Sequence, residues 1–160
     1  MALFLAQQKK LGNESFYAPY LNMLPDKIMI GLCIDENDIR YLENTTLYHS
    51  IQERKQNVSN EFQKLIEDLP ENTDITWEEF LWGYSVLSSR SFPYSLIDPN
   101  YDGPSEVLFP LLDALNHKPN THITWMRNGD PETGSLSFVI GNEIEAGEQI
   151  WNNYGAKVCL

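Results

Sequence analysis

The chain of 160 residues is long enough for one domain with a sizeable hydrophobic core and too short for two ordinary domains. Hydrophobic residues make up 42% of it and aromatic residues 12%, which is the balance of a folded globular protein and excludes a disordered or fibrous one. The 11 Lys and Arg residues against 23 Asp and Glu give a formal charge of −12, which argues against direct binding to nucleic acid. The same charge favours a basic protein partner, although it also serves simply to keep a protein in solution.

The cysteines and the apolar runs indicate the cellular compartment of the protein. Cys33 and Cys159 are too few for a disulfide framework and lack the spacing of a zinc site, so we expect a reducing compartment and no metal. The first residues have the reverse of a signal peptide's charge order, and no apolar run reaches the length of a membrane span. We expect a protein that does not bind membranes and is located in the cytoplasm, with the nucleus as the alternative location. The oligomeric state is unknown from the sequence.

The first half of the chain has the apolar spacing of helices. One helix is predicted from Ala2 to Leu11 and ended by Gly12, and a short second helix follows that Ser15 can cap. Asp35 offers another cap. Beyond it, apolar residues recur mostly at steps of three, four or seven until Pro70, which predicts one long amphipathic helix after a shorter one. These residues are Ile39, Leu42, Leu47, Ile51, Val58, Phe62, Leu65 and Leu69.

A capping box marks the start of the next predicted helix. In Thr76-Trp77-Glu78-Glu79, the Thr76 hydroxyl and the Glu79 carboxylate can each satisfy a backbone amide that the helix leaves without a partner. The helix is expected to run to about Arg90. Its apolar residues are typical of a core-facing stripe: Trp77, Phe80, Leu81, Tyr84 and Val86 or Leu87.

After Phe92-Pro93 the helical spacing gives way to short apolar runs separated by turn-forming residues. We therefore expect an α+β fold, with helices over residues about 2–90 followed by short strands. The connection Asn128-Gly129-Asp130-Pro131 is typical of a hairpin. The predicted strands are 107–109, 123–126, 136–140 and 149–151.

Polar residues stand close together in one apolar segment of the second half. Asp113, Asn116 and His117 all fall within Pro110 to His117, and polar groups this dense need partners if they are buried. Taken alone, the segment is most simply a short helical turn with a satisfied histidine.

Three other stretches change that interpretation: Ser89-Arg90-Ser91-Phe92, the segment from Ile144 to Ile150, and Asn153-Tyr154-Gly155-Ala156-Lys157. In this order and at these separations, they resemble the landmarks of the SET domain in the branch of methyltransferases similar to the RuBisCO large-subunit methyltransferase. The opening from Leu11 to Leu21 is similar to the start of the helical insert that interrupts this SET domain. The resemblance covers nearly the whole chain.

The resemblance implies methylation of a lysine in a non-histone protein, with S-adenosylmethionine as the cofactor. It assigns Asn116, His117 and Asp113 to the cofactor site, and it matches Arg90 to an arginine that meets the cofactor's carboxylate. A planar guanidinium suits a carboxylate, although a solvated arginine is also common at a helix end. Tyr154 takes the place of the catalytic tyrosine. Without the neighbouring motifs it would be interpreted as a core tyrosine with its hydroxyl hydrogen-bonded.

The same resemblance divides the chain into a helical insert, residues 1–92, and the C-terminal half of a SET domain, residues 93–160. No two glycines stand two apart, so the family's Gly-x-Gly cofactor loop is missing, and Val158-Cys159 departs from the family's ending. We therefore expect a chain that is truncated at both ends.

A catalytically inactive remnant, or a protein-binding module, is the alternative function. Histidine is an alternative target, since one branch of the family modifies it. Asn116, His117 and Tyr154 are expected to converge beside the helix end that carries Arg90.

Overall fold

A computed structural model describes residues 1–70 and 74–155, and its elements change from helices to short strands along the chain. The described residues divide into a unit spanning Met1–Arg90 and a second unit that begins at Ser91. Helices dominate the first unit and antiparallel strand pairs the second, so the predicted α+β class is confirmed.

Five α-helices lie in the described part of the first unit, and short 3-10 turns join some of them. Where the chain is described, none of the helices has both the length and the apolar character needed to cross a membrane. The helices are α1 (Ala2–Lys10), α2 (Ala18–Leu21), α3 (Glu36–Ile39), α4 (Thr46–Glu67) and α5 (Trp77–Arg90).

The helix ends follow the local chemistry of the sequence in most places. Leu11 caps the C-terminus of α1, and Gly12 after it has a φ of 56°, a conformation that glycine adopts without steric cost. Asp35 caps α3, where its carboxylate accepts hydrogen bonds from the backbone N–H groups of Asn37 and Asp38 at 2.8 and 2.9 Å. The predicted cap at Ser15 is wrong. Its hydroxyl accepts from Tyr17 N at 3.0 Å and so forms a turn that ends before α2 begins.

The capping box at the start of α5 is confirmed in both directions. Thr76 N donates to the Glu79 carboxylate at 2.8 Å, and Glu79 N donates to the Thr76 hydroxyl at 3.2 Å. Replacing Thr76 by Ala removes one half of this exchange, and we expect it to lower the free energy of unfolding by about 1 kcal/mol. Chemical denaturation followed by helical circular dichroism measures this change. Thr76→Ser keeps the hydroxyl as a control, and a T76A protein as stable as T76S would contradict the assignment.

The core of the first unit forms around α5. Phe80 is 1% exposed and packs in a cluster with Ala2, Leu32 and Val58. Helix α1 crosses α5 at Gly83, where an added Cβ would lie 2.3 Å from the carbonyl oxygen of Ala2. The apolar row on α4 buries Ile51 and Val58 and partly buries Phe62 and Leu65, whereas Leu47 in the first turn is 51% exposed.

The second unit contains two antiparallel strand pairs among its described residues. The first pair joins β1 (Phe92–Pro93) to β2 (Glu106–Val107), and the second joins β3 (Ile123–Asn128) to β4 (Ser135–Ile140). The strands predicted at 123–126 and 136–140 are therefore confirmed. Of the strand predicted at 107–109, the structure places Val107 alone in a strand, as the second residue of β2. The strand predicted at 149–151 is wrong. Within the described residues, 149–151 form no strand, and a single parallel bridge joins the next residue, Asn152, to His117.

The β3–β4 connection is built on Asp130. Its carboxylate accepts from the Thr133 hydroxyl at 2.5 Å and from the backbone N–H groups of Glu132 and Thr133 at 2.9 Å each. These bonds, the Thr133 hydroxyl first, lower the pKa of Asp130 to about 2. On the hairpin, Trp125 and Phe138 meet edge to face with ring centroids 5.0 Å apart.

Candidate active site

Two segments far apart in sequence meet in the second unit. Asn152 N donates to the carbonyl of Asn116 at 2.8 Å, and Lys118 N donates to the carbonyl of Asn152 at 2.9 Å. These two bonds form the parallel bridge between Asn152 and His117. The bridge brings the polar segment ending at His117 alongside the residues that lead to Tyr154.

Tyr154 contacts the other segment at three points. Its backbone N–H donates to Nδ1 of His117 at 3.1 Å, and its hydroxyl donates to the carbonyl of Leu115 at 2.6 Å. The two rings stack with centroids 5.2 Å apart and 25° between their planes. Since Nδ1 accepts a hydrogen bond, the neutral imidazole of His117 carries its proton on Nε2. The contacts fix the direction of the phenol while leaving the Tyr154 residue 42% exposed.

The expected convergence of Asn116, His117 and Tyr154 therefore agrees with the structure. Their catalytic and cofactor-binding roles stay predictions, as does the placement of Arg90 beside them. Arg90 is the last residue of α5 in the first unit, where its charge also suits the negative end of the helix dipole.

Asp113 lies on a 3-10 turn, Leu112–Ala114, just before this convergence. It is 7% exposed, and its backbone N–H donates to the carbonyl of Phe109 at 3.2 Å. Leu111, directly before the turn, has a φ of 76°, which a residue with a side chain seldom adopts. Such a backbone costs about 1–3 kcal/mol and tends to occur where function constrains the chain. The turn thus holds a carboxylate inside the protein close to Asn116 in sequence.

Two residues of this region were given no role from the sequence. Asn152 is 1% exposed, and its side-chain oxygen accepts from Asn153 N at 2.7 Å. The side-chain oxygen of Asn153 accepts from Gly155 N at 3.0 Å. The available signal was the pair of consecutive amide side chains before Tyr154-Gly155, which are residue types that hydrogen-bond to their own backbone.

A cavity of about 480 Å³ adjoins the bridge within the second unit. Lys118 and Trp151, the neighbours of the bridged residues, are among its lining residues, with the Lys118 ammonium 5.7 Å from the centre of a Trp151 ring. Phe109 lines another cavity, of about 270 Å³, and Tyr84 lines one of about 220 Å³ in the first unit. Within residues 1–70 and 74–155, His, Cys, Asp and Glu form no cluster that could hold a metal ion.

Known proteins that are similar to this chain include protein N-methyltransferases. No protein-family model matches the chain. A ribosomal lysine N-methyltransferase of Schizosaccharomyces pombe is 34% identical over 159 residues, which are 98% of this chain and 28% of that protein. A chloroplastic fructose-bisphosphate aldolase-lysine N-methyltransferase of Arabidopsis thaliana is 30% identical over 166 residues, covering 96% of this chain and 33% of that protein. The human actin-histidine N-methyltransferase is 29% identical over 160 residues, covering 93% and 26%.

Among solved structures, the SET domain of LSMT bound to lysine and AdoHcy superposes with a TM-score of 0.78 at 21% identity, covering 96% of this chain and 36% of that one. The structure of Rubisco LSMT bound to sinefungin and monomethyllysine gives a TM-score of 0.74 at 23% identity, covering 96% and 34%. The chain spans about a third or less of the curated relatives it matches. In sequence this chain is similar to a part of these protein N-methyltransferases, and in fold it resembles a part of the SET-domain structures of LSMT.

Proposed function

We propose that this chain is part of an S-adenosylmethionine-dependent protein-lysine N-methyltransferase. The observation that carries the proposal is the convergence of Tyr154 with Leu115, Asn116 and His117, which joins two polar motifs 37 residues apart through hydrogen bonds and a ring stack. The relatives named above are protein methyltransferases and support the same activity. In this proposal Tyr154 is the catalytic residue.

The residues in this region suit the groups that S-adenosylmethionine presents. The parallel bridge uses the carbonyl of Asn116 and the amide of Lys118, so the backbone N–H and C=O of His117 point away from Asn152. These groups, the Asn116 side chain and the carboxylate of Asp113 can donate to and accept from hydroxyls, an ammonium group and ring nitrogens. Asp113, Asn116 and His117 would therefore hold the cofactor within the second unit. For Arg90 the family resemblance implies a bond to the cofactor's carboxylate, which its planar guanidinium suits.

When bound, S-adenosylmethionine supplies a methyl group on a positively charged sulfur, and a neutral amine displaces the sulfur in line. The Tyr154 hydroxyl donates a hydrogen bond to the Leu115 carbonyl. Its oxygen keeps lone pairs, which act as hydrogen-bond acceptors. That oxygen can accept weak C–H···O contacts from a polarised methyl group and can orient the attacking amine. The oxygen dipole also stabilises positive charge as it moves from sulfur to nitrogen. The proton that the amine sheds before attack passes to water.

The substrate in this proposal is a lysine on a non-histone protein, and the setting is the cytoplasm. The relatives are named for ribosomal, aldolase and actin targets, which supports a non-histone substrate. A formal charge of −12 would draw a Lys-rich segment towards this protein by long-range attraction. Partial burial of the target lysine would lower its pKa and so supply the neutral amine that the transfer needs.

Labelled methyl transfer tests the proposed activity. The purified chain is mixed with methyl-labelled S-adenosylmethionine and a cell extract, and the labelled protein is hydrolysed to amino acids. We expect label in methylated lysine, and we expect Asn116→Ala to reduce it to the level without enzyme. A folded chain that labels no protein above the level of Asn116→Ala would contradict the proposal.

The same hydrolysis distinguishes the alternative target. An actin-histidine N-methyltransferase is among the relatives, which favours histidine as the second candidate. Label recovered in methylhistidine instead of methyllysine would replace the lysine assignment and leave the methyltransferase assignment standing.

A further inference from the structure

The side chain of Asn153 forms one hydrogen bond to the residue after Tyr154 and a second to a distant turn of the same unit. Its oxygen accepts from Gly155 N at 3.0 Å, directly after the tyrosine. Its nitrogen donates to the carbonyl of Thr121 at 3.4 Å, a longer bond that reaches 32 residues back in the chain. One amide thus connects the Tyr154-Gly155 backbone to the turn that follows the His117 segment.

That turn is itself fixed to the bridged segment. The Thr121 hydroxyl donates to the carbonyl of Lys118 at 2.9 Å, and Lys118 N donates to the carbonyl of Asn152. Asn152 in turn accepts from Asn153 N through its side chain at 2.7 Å. These hydrogen bonds form a closed loop. The backbone of Asn153 is fixed by the Asn152 side chain, and the Asn153 side chain in turn fixes the backbone amide that follows Tyr154.

We infer that Asn153 is a positioning residue for Tyr154, an inference that rests on the proposed methyl transfer. The phenol of Tyr154 is held by the Leu115 carbonyl and its backbone by His117, yet the residue is 42% exposed and belongs to no helix or strand. Asn153 restricts the backbone on the C-terminal side of the tyrosine, a restraint that neither of those contacts provides. A small displacement of a group that aligns two reacting atoms costs a large factor in rate.

The inference predicts which kinetic constant changes. The side-chain oxygen and nitrogen of Asn153 both bond to the backbone, so its loss should leave the binding of S-adenosylmethionine nearly unchanged. The displaced tyrosine would lower kcat, because alignment is required only at the transfer step. Serine at the same position keeps an acceptor for the Gly155 amide two residues on and should restore much of the rate.

The test compares the full chain with Asn153→Ala, Asn153→Ser and, as a matched control, Asn100→Ala at an exposed asparagine of the same unit. We expect Asn153→Ala to lower kcat roughly tenfold, with the KM for S-adenosylmethionine changing less than about twofold. Asn153→Ser should stay within roughly threefold of wild type in kcat, and Asn100→Ala should match wild type. Equal kcat in Asn153→Ala and Asn100→Ala would overturn the inference.

Amide hydrogen exchange separates this inference from the proposed activity. In Asn153→Ala the Gly155 amide loses its acceptor, and its exchange should speed up by roughly tenfold, whereas Asn153→Ser should retain most of the protection. A wild-type chain without methyl transfer would contradict the proposed function, and in that case the exchange decides whether Asn153 orders the tyrosine. Unchanged Gly155 exchange in Asn153→Ala would overturn the inference whatever the activity.

Discussion

Replacing Tyr154 by Phe is expected to slow methyl transfer by about 100-fold or more while the protein stays folded. The change removes only the hydroxyl, which donates to the Leu115 carbonyl at 2.6 Å and which, in the proposed function, orients the reacting groups. The stack on His117 and the backbone bond to its Nδ1 do not involve that oxygen and should persist. Single-turnover kinetics with labelled S-adenosylmethionine measures the transfer step, and calorimetry checks that the cofactor still binds.

The matched control is Tyr41→Phe, which removes a hydroxyl from a tyrosine that is 75% exposed in the helical unit. This variant should transfer methyl groups at the wild-type rate. If Tyr154→Phe retains full activity alongside it, Tyr154 is not the catalytic residue.

Phe80→Ala is the substitution with the largest expected effect on stability. Phe80 is 1% exposed, and its ring lies 4.9 Å from that of Phe62 and 6.1 Å from that of Trp77 between centroids. Truncation removes buried apolar surface and leaves a cavity that the surrounding helices fill only in part. We expect a loss of about 3–5 kcal/mol in the free energy of unfolding of the helical unit, measured by denaturant titration of its circular dichroism.

Phe16→Ala removes the same ring from a residue that is 88% exposed. Its ring meets Tyr17 edge to face at 5.2 Å, so its loss should cost no more than about 1 kcal/mol. Similar losses in the two variants would show that the core does not centre on Phe80.

Features that depend on neighbours in sequence could be predicted before the structure was known. The capping box of Thr76 and Glu79 and the cap at Asp35 involve residues within three positions of one another, so residue types alone indicate them. The hairpin between β3 and β4 is equally local, because Asp130 organises its own turn. The family resemblance then supplied the order of the motifs, which no local rule provides.

Features that depend on distant partners were missed or misjudged. The short apolar run at 149–151 is typical of a strand, but whether a segment pairs depends on a partner elsewhere in the chain. Here the ladder contact is Asn152 with His117. Asparagine is usually a surface residue. Asn152 is nevertheless 1% exposed, because both its backbone N–H and its C=O bond to the segment around His117. The supporting role of Asn153 likewise depends on Thr121, 32 residues away.

The measurement that most directly tests the central claim is titration calorimetry of S-adenosylhomocysteine into the 160-residue chain. The account predicts saturable binding of one molecule per chain with a micromolar Kd, about −7 to −8 kcal/mol, and a clear weakening in Asn116→Ala. This result would also exclude the alternative of an inactive remnant that has lost its cofactor site. A folded chain with no saturable binding at about 1 mM ligand would contradict the account, because the residues brought together by His117 and Asn152 would then not form a cofactor site by themselves.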